Sequence, residues 1–204
     1  MTFMYRTAVI DVFVAVLAII SADAVCRIIL YRRNQFRREP RTATRGLGLL
    51  RVWVNILAFA CFAAVAATGF LAVLTEQKTL SGYQLMTHLV VAPIFAIACT
   101  FIALFWTHRS QFTATDWSRL RRRSGPPETR GAWAVLLRKI FFWSALALSV
   151  PTMVSILVAM FPLPTPAQQQ YLFLIHRGCA LPLAGVGLLF AYFALVSWRA
   201  RAQD

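Results

Sequence analysis

Five long apolar runs, separated by polar or basic links, dominate the pattern of hydrophobic and polar residues along the chain. Each run is about as long as the roughly 20 residues that an α-helix needs to cross a bilayer. The surface helix of a soluble protein would instead carry an apolar stripe opposite a polar face. The pattern therefore predicts five transmembrane helices, at residues 7–31, 52–74, 85–107, 140–161 and 171–198.

The composition supports a membrane protein. Hydrophobic residues make up 59% of the chain, whereas soluble domains contain about 45–50% apolar residues. We expect an all-α integral membrane helical bundle that forms one domain over residues 1–204. The first run contains a sequence similar to a signal-peptide cleavage site, at residues 22–24. Asp11 interrupts the apolar segment that a signal peptide requires, and we therefore predict an uncleaved helix in which Asp23 and Arg27, four residues apart, can pair.

The basic residues predict the orientation of the helices. The net charge is +14, and 17 of the 21 basic residues lie in the link 32–51, the loop 108–139 and the C-terminal tail. Because cytoplasmic loops carry the excess of Lys and Arg, the N-terminus is expected outside, and the basic loop 108–139 and the C-terminus in the cytoplasm. Orientation accounts for the charge, and no soluble module remains, so nucleic-acid binding is not expected.

Two histidines are predicted at the same depth. His88 and His176 each lie five residues after the outer start of a helix, at Tyr83 and Tyr171, which is about 7–8 Å along the helix axis. An ionisable residue inside a membrane suggests a functional site. Two neutral imidazoles can ligate one haem iron within a helix bundle. The alternative is that each histidine forms a hydrogen bond to a neighbouring helix. His108, the third histidine, falls at the inner interface, so this chain lacks ligands for a second bis-histidine haem.

Two further residues are candidates for contact with a haem. Arg177 could pair with a propionate or extend its side chain to the membrane interface. Gly69 could leave room for the porphyrin or allow close helix packing. No CxxCH motif is present, which excludes covalent haem attachment. Asp116 and Glu128, in the basic loop, are expected to be solvated.

The arrangement resembles the bacterial b-type cytochrome membrane subunits that anchor formate dehydrogenases and nickel hydrogenases. The similarity covers residues 46–200 and rests on Arg51 and Thr68-Gly69, on Gly82 and His88, and on His176-Arg177. It implies a four-helix core over residues 52–198, with helix 7–31 as an addition, in the bacterial inner (cytoplasmic) membrane.

In that family two haems are stacked across the membrane, and quinone is handled near the inner one. The resemblance assigns the outer haem to His88 and His176. The inner ligands do not map, because Asn55, Phe190 and Tyr192 occupy the regions where histidines would be sought. One haem alone cannot carry electrons across the bilayer, and an inner quinone site is in doubt.

We therefore expect a membrane-bound electron-transfer subunit that holds one haem b near the periplasmic face. Its partners would be other membrane or periplasmic redox subunits, such as a c-type cytochrome or a dehydrogenase, with quinol as a further electron donor or acceptor. The chain would be the electron-carrying subunit of an oxidoreductase complex rather than an enzyme alone. The alternative is a haem-free or haem-poor accessory subunit of a larger respiratory or photosynthetic membrane complex. A small transporter is less favoured, because no repeat of broken helices is present.

Overall fold

The computed structural model describes residues 2–31, 45–75, 81–121 and 130–203, and these residues are predominantly helical. Five of the helices are long and apolar enough to cross a membrane. The chain is therefore an all-α, multi-pass membrane protein, which confirms the predicted fold class. The helices are α1 (Thr2–Tyr31), α2 (Arg45–Leu74), α3 (Gly82–Trp106), α4 (Ala114–Arg121), α5 (Arg130–Met160) and α6 (Pro166–Gln203), with a short 3₁₀ helix at His108–Ser110.

The apolar runs form helices because the bilayer offers no hydrogen-bond partners to the backbone. Each backbone group must therefore pair within its own segment, which a helix achieves. The five candidate spans have mean hydropathies between 1.9 and 2.5. Pro93, Pro151 and Pro182 lie inside α3, α5 and α6, a position that membrane helices tolerate better than soluble ones.

All five spanning helices begin earlier than their apolar runs, and the predicted starts at residues 140 and 171 are corrected to Arg130 and Pro166. At α6 a capping box explains the difference. The Thr165 backbone N–H donates to Gln168 Oε1 at 2.8 Å, and the Gln168 N–H donates to Thr165 Oγ1 at 3.4 Å. Pro166 then occupies the first helical position, where its missing N–H has no cost. Polar caps thus extend helices beyond the limits that hydropathy indicates.

The predicted loop 108–139 is largely helical where the structure describes it. It contains the 3₁₀ helix His108–Ser110, the whole of α4 and the first part of α5. Residues 122–129, which include Glu128, lie outside the described residues, as do residues 32–44 of the first basic link.

The contacts between residues within the chain divide it into two compact units. Unit 1 comprises Met1–Val12 and Thr42–Arg109. Within it, α2 packs against α3, and the rings of Phe62 and Phe95 lie 5.9 Å apart. The small side chains of Ala58 and Ala98 are buried, which is typical of membrane helices that approach closely.

Unit 2 comprises Phe13–Arg41 and Ser110–Asp204. Its core is the pairing of α5 with α6, which includes two aromatic contacts. The rings of Phe141 and Phe193 stack at 5.6 Å, and Phe142 lies 6.0 Å from Phe190. This pairing supports the α6 segment that carries His176.

Candidate functional site

His88 lies within unit 1 at the contact between α2 and α3. Its Nδ1 is 3.0 Å from Thr68 Oγ1. The Thr68 hydroxyl also lies 2.8 Å from the Ala64 carbonyl oxygen, four residues earlier on α2. When the hydroxyl donates its proton to that carbonyl, its oxygen accepts a hydrogen bond from His88 Nδ1–H. The lone pair of the neutral imidazole is then on Nε2, the nitrogen that a metal would use.

Gly69 is adjacent to Thr68 and lies against the same imidazole. A Cβ added at Gly69 would be 3.4 Å from His88 Cε1 and 3.8 Å from His88 Nδ1. A Cβ at this position would be in ordinary van der Waals contact with the His88 ring, so only a larger side chain would have to displace it. We predicted that Gly69 makes room for a porphyrin or for helix packing; the observed neighbour is the imidazole, and the role toward a porphyrin stays a prediction.

His176 is held within unit 2 in a different way. Its Nδ1 lies 2.8 Å from the backbone carbonyl oxygen of Thr152 on α5. A carbonyl oxygen can only accept, so Nδ1 must carry the proton and Nε2 the lone pair of the neutral ring. The ring is half-buried. This hydrogen bond to a carbonyl is the second-shell interaction that metal-ligating histidines usually make.

The equal depth of the two histidines depends on where each helix is taken to begin. His88 lies six residues after Gly82, the first residue of α3, and His176 lies ten residues after Pro166, the first of α6. At 1.5 Å per residue these offsets are about 9 Å and about 15 Å. The depths agree only when they are counted from Tyr83 and Tyr171, because the first turns of α6 are polar.

The remaining predicted positions differ in their exposure. Arg177 is exposed on α6, and His108 is exposed in the 3₁₀ helix. Asn55 on α2 is half-buried. The ring of Phe190 packs near Phe142, so at that inner position the α6 side chain contributes to the packing of unit 2.

Asp116 corrects the prediction that the acidic residues of the basic loop are solvated. It is only 4% exposed, and Lys139 Nζ donates to its Oδ2 at 2.6 Å. Thr113 donates to the same oxygen from both its backbone N–H and its hydroxyl, each at 2.8 Å. Burial by itself raises the pKa of the Asp116 carboxyl, but the hydrogen bonds from Lys139 and Thr113 outweigh it, and the pKa is lowered.

Two sequence signals could have identified this ion pair. Thr113, the residue before α4, and Asp116, in the first turn of α4, have the spacing of a capping box. Lys139 occupies a helix that begins earlier than hydropathy indicates. The sequence interpretation placed both residues in the loop 108–139. The pair was missed because α4 and the first turns of α5 lie within that loop.

A second polar contact, which is partly buried, joins the first helix to the last. Tyr192 on α6 donates to Asp23 Oδ2 on α1 at 2.6 Å, and both residues belong to unit 2. Asp23 was predicted to pair with Arg27, whose side chain lies outside the described residues. The contact places the C-terminal parts of α1 and α6 side by side, as expected when an odd number of spans makes the first and last helices parallel.

No group of three or more His, Cys, Asp or Glu side chains among the described residues could hold a bare metal ion. A haem iron has a different requirement, because the porphyrin supplies four nitrogens and the protein supplies the axial ligands. Two neutral imidazoles whose Nδ1 atoms are hydrogen-bonded, as in His88 and His176, have the chemistry of such ligands.

Comparisons with protein-family models, with curated proteins and with solved structures found no match to the chain. The similarity to b-type cytochrome subunits therefore stays a prediction that rests on the residues quoted above.

Proposed function

We propose that the chain is a membrane-bound electron-transfer subunit and that His88 and His176 are the axial ligands of one b-type haem. The observation that carries the proposal is the hydrogen bond made by Nδ1 of each imidazole. Both contacts favour the tautomer with a basic Nε2 and fix the ring against its own helix pair. A histidine that ligates iron needs both properties.

Bound haem would supply one-electron chemistry, and the chain would tune its potential and access. Ligation by two imidazoles occupies both axial positions, which favours electron transfer over oxygen chemistry. Arg177, exposed next to His176, would pair with a propionate. Following the sequence-based orientation, we propose a site near the periplasmic face of a bacterial inner membrane. The partner would be a periplasmic c-type cytochrome or dehydrogenase, or quinol.

A second candidate function is a haem-free accessory subunit of a larger membrane complex. Two observations favour it. Each histidine already joins two neighbouring helices, α2 to α3 and α5 to α6, which is the contact that a purely structural histidine makes. In addition, only 6% of the most apolar stretch of α3 is buried inside the chain, which leaves a large surface for lipid or for another subunit.

A haem assay separates the two functions. The purified full-length protein should give a b-type reduced-minus-oxidised spectrum and about one haem per chain by pyridine haemochrome. His88→Ala and His176→Ala should each lose this signal, and the matched variant His108→Ala should keep it. A folded preparation without haem, from a haem-replete host, would overturn the electron-transfer function and favour the accessory subunit.

A further inference from the structure

α4 is fixed to unit 2 on one of its faces. Asp116 is buried on that face and bonds to Lys139 near the start of α5. Just before α4, the Trp143 indole N–H donates to the buried Ser110 carbonyl at 2.9 Å. These two contacts attach α4, and the residues just before it, to α5. The face of α4 opposite Asp116 is therefore turned away from α5.

That opposite face combines a cation, a hydroxyl and an aromatic ring. A groove of about 660 Å³ is lined by Ala114, Trp117, Ser118 and Arg121. Their spacing of three, four and seven residues from Ala114 places them on one side of an α-helix. Arg121 is exposed, and Trp117 is 53% exposed. Asp116 lies on the other side of the helix, consistent with its burial.

The position of α4 in the chain limits what can occupy this groove. α4 lies between two candidate membrane spans, one ending at Trp106 and the next beginning at Trp133. The segment that connects these two spans, and α4 within it, therefore lies at a membrane–water interface, where tryptophan is enriched. The segment 108–139 that contains α4 carries eight basic and two acidic residues, and this excess of positive charge favours anionic lipids at that surface.

We propose that α4 is an interfacial helix whose groove binds the phosphate of an anionic phospholipid in the adjacent leaflet. Arg121 pairs with the phosphate. The Ser118 hydroxyl, which donates to the Thr115 carbonyl oxygen at 2.9 Å, lines the groove beside it. The Trp117 ring packs at the level of the lipid carbonyls, as interfacial aromatic residues do. The Asp116–Lys139 ion pair keeps the groove open toward the lipid. This binding is independent of haem.

Lipid titration of the full-length protein tests the proposal. Phosphatidylglycerol or phosphatidylcholine is added to the protein in an uncharged detergent, and bound lipids are counted by native mass spectrometry. Arg121→Gln should weaken phosphatidylglycerol binding about fivefold, the size expected for one basic residue at an anionic surface, and leave phosphatidylcholine binding unchanged. Arg119→Gln removes the same charge from a position that does not line the groove, and should change binding less than twofold.

Three results would overturn the proposal. Equal weakening by Arg121→Gln and Arg119→Gln would mean that the lipid responds to overall charge rather than to the groove. No weakening by Arg121→Gln would mean that another surface binds the lipid. Displacement of phosphatidylglycerol by an equal concentration of inorganic phosphate would mean that the groove recognises a free anion and not a lipid. Far-UV circular dichroism of both variants checks that they keep the helical fold.

Discussion

The two units are stabilised differently, although each carries one of the two membrane histidines. In unit 1, α2 and α3 meet through small residues, and the Thr68 hydroxyl contacts His88. In unit 2, α6 is enclosed more completely: 39% of its most apolar stretch is buried, compared with 6% for α3. Unit 2 also contains the buried pair of Asp116 and Lys139.

This difference indicates where each unit is sensitive to change. Buried charges in unit 2 are stable only while they are paired, because an isolated charge in a low-dielectric interior is costly. Unit 1 depends instead on steric fit, since the His88 ring lies at van der Waals contact distance from the position that a Cβ would take at Gly69. The exposed surface of α3 remains available to lipid or to another subunit.

The largest effect is expected from breaking the ion pair of unit 2. Lys139→Met leaves the Asp116 carboxylate buried without its cation, and should lower the free energy of unfolding by about 3–5 kcal/mol. Titration of the detergent-solubilised protein with a denaturing detergent, followed by tryptophan fluorescence, measures this loss. A variant as stable as the native chain would mean that Asp116 is solvated after all.

The double variant Asp116→Asn with Lys139→Met is the control for that experiment. It removes both charges of this pair, and the asparagine oxygen can still accept from Thr113, so most of the stability should return. Acidification gives a second check. The pKa of Asp116 is lower in the folded chain than its ordinary value of 3.8, which we take for the unfolded chain. The ionised carboxylate therefore stabilises the fold at pH values above 3.8, and this stabilisation is lost as the pH falls through the lowered pKa of the folded state. The difference between Lys139→Met and the native chain should therefore shrink in acid.

A smaller loss of stability is expected when a large side chain replaces Gly69 beside His88 in unit 1. Gly69→Leu places branched carbons where the His88 ring lies, and should cost about 1–3 kcal/mol of unfolding free energy. Gly69→Ala adds only a Cβ at an ordinary contact distance of 3.4 Å, and the better helix propensity of alanine offsets its cost. Comparing the two by the same titration sharpens the contrast between the units. Equal stabilities for the alanine and leucine variants would contradict the tight fit around His88.

The fold was largely predictable because long apolar runs have few alternatives to a membrane helix. Helix ends were less predictable, since Thr165 and Thr113 cap helices outside the apolar runs that hydropathy detects. The same limitation concealed Lys139 and Asp116, which are 23 residues apart in the chain and were assigned to one solvated loop.

The candidate site was predictable only as a list of residues. A histidine in an apolar run indicates a functional position, and this identified His88 and His176. Their hydrogen-bond partners could not be predicted, because the Thr152 partner is a backbone carbonyl and no side-chain pattern marks it. Thr68 was noted only as part of the Thr-Gly pair, and its contact with His88 requires the packing of α2 on α3.

The smallest loss of stability is expected from substitutions of the two threonines, Thr68 and Thr152, that contact the histidines. These substitutions compare a side-chain partner, at His88, with a backbone partner, at His176. Thr68→Val removes the hydroxyl beside His88 Nδ1 and should cost about 0.5–1.5 kcal/mol, the usual net value of one hydrogen bond. Thr152→Val retains the backbone carbonyl that accepts from His176, so the tautomer of His176 should not change. Labelling of the haem-free protein with ¹⁵N-histidine reports the tautomers directly, with the exposed His108 as an internal reference. Thr68→Val should shift the ring nitrogens of His88 alone, because only there does a side chain fix the proton. A shift at His176 in Thr152→Val would mean that the threonine side chain, rather than the backbone of α5, orients that imidazole.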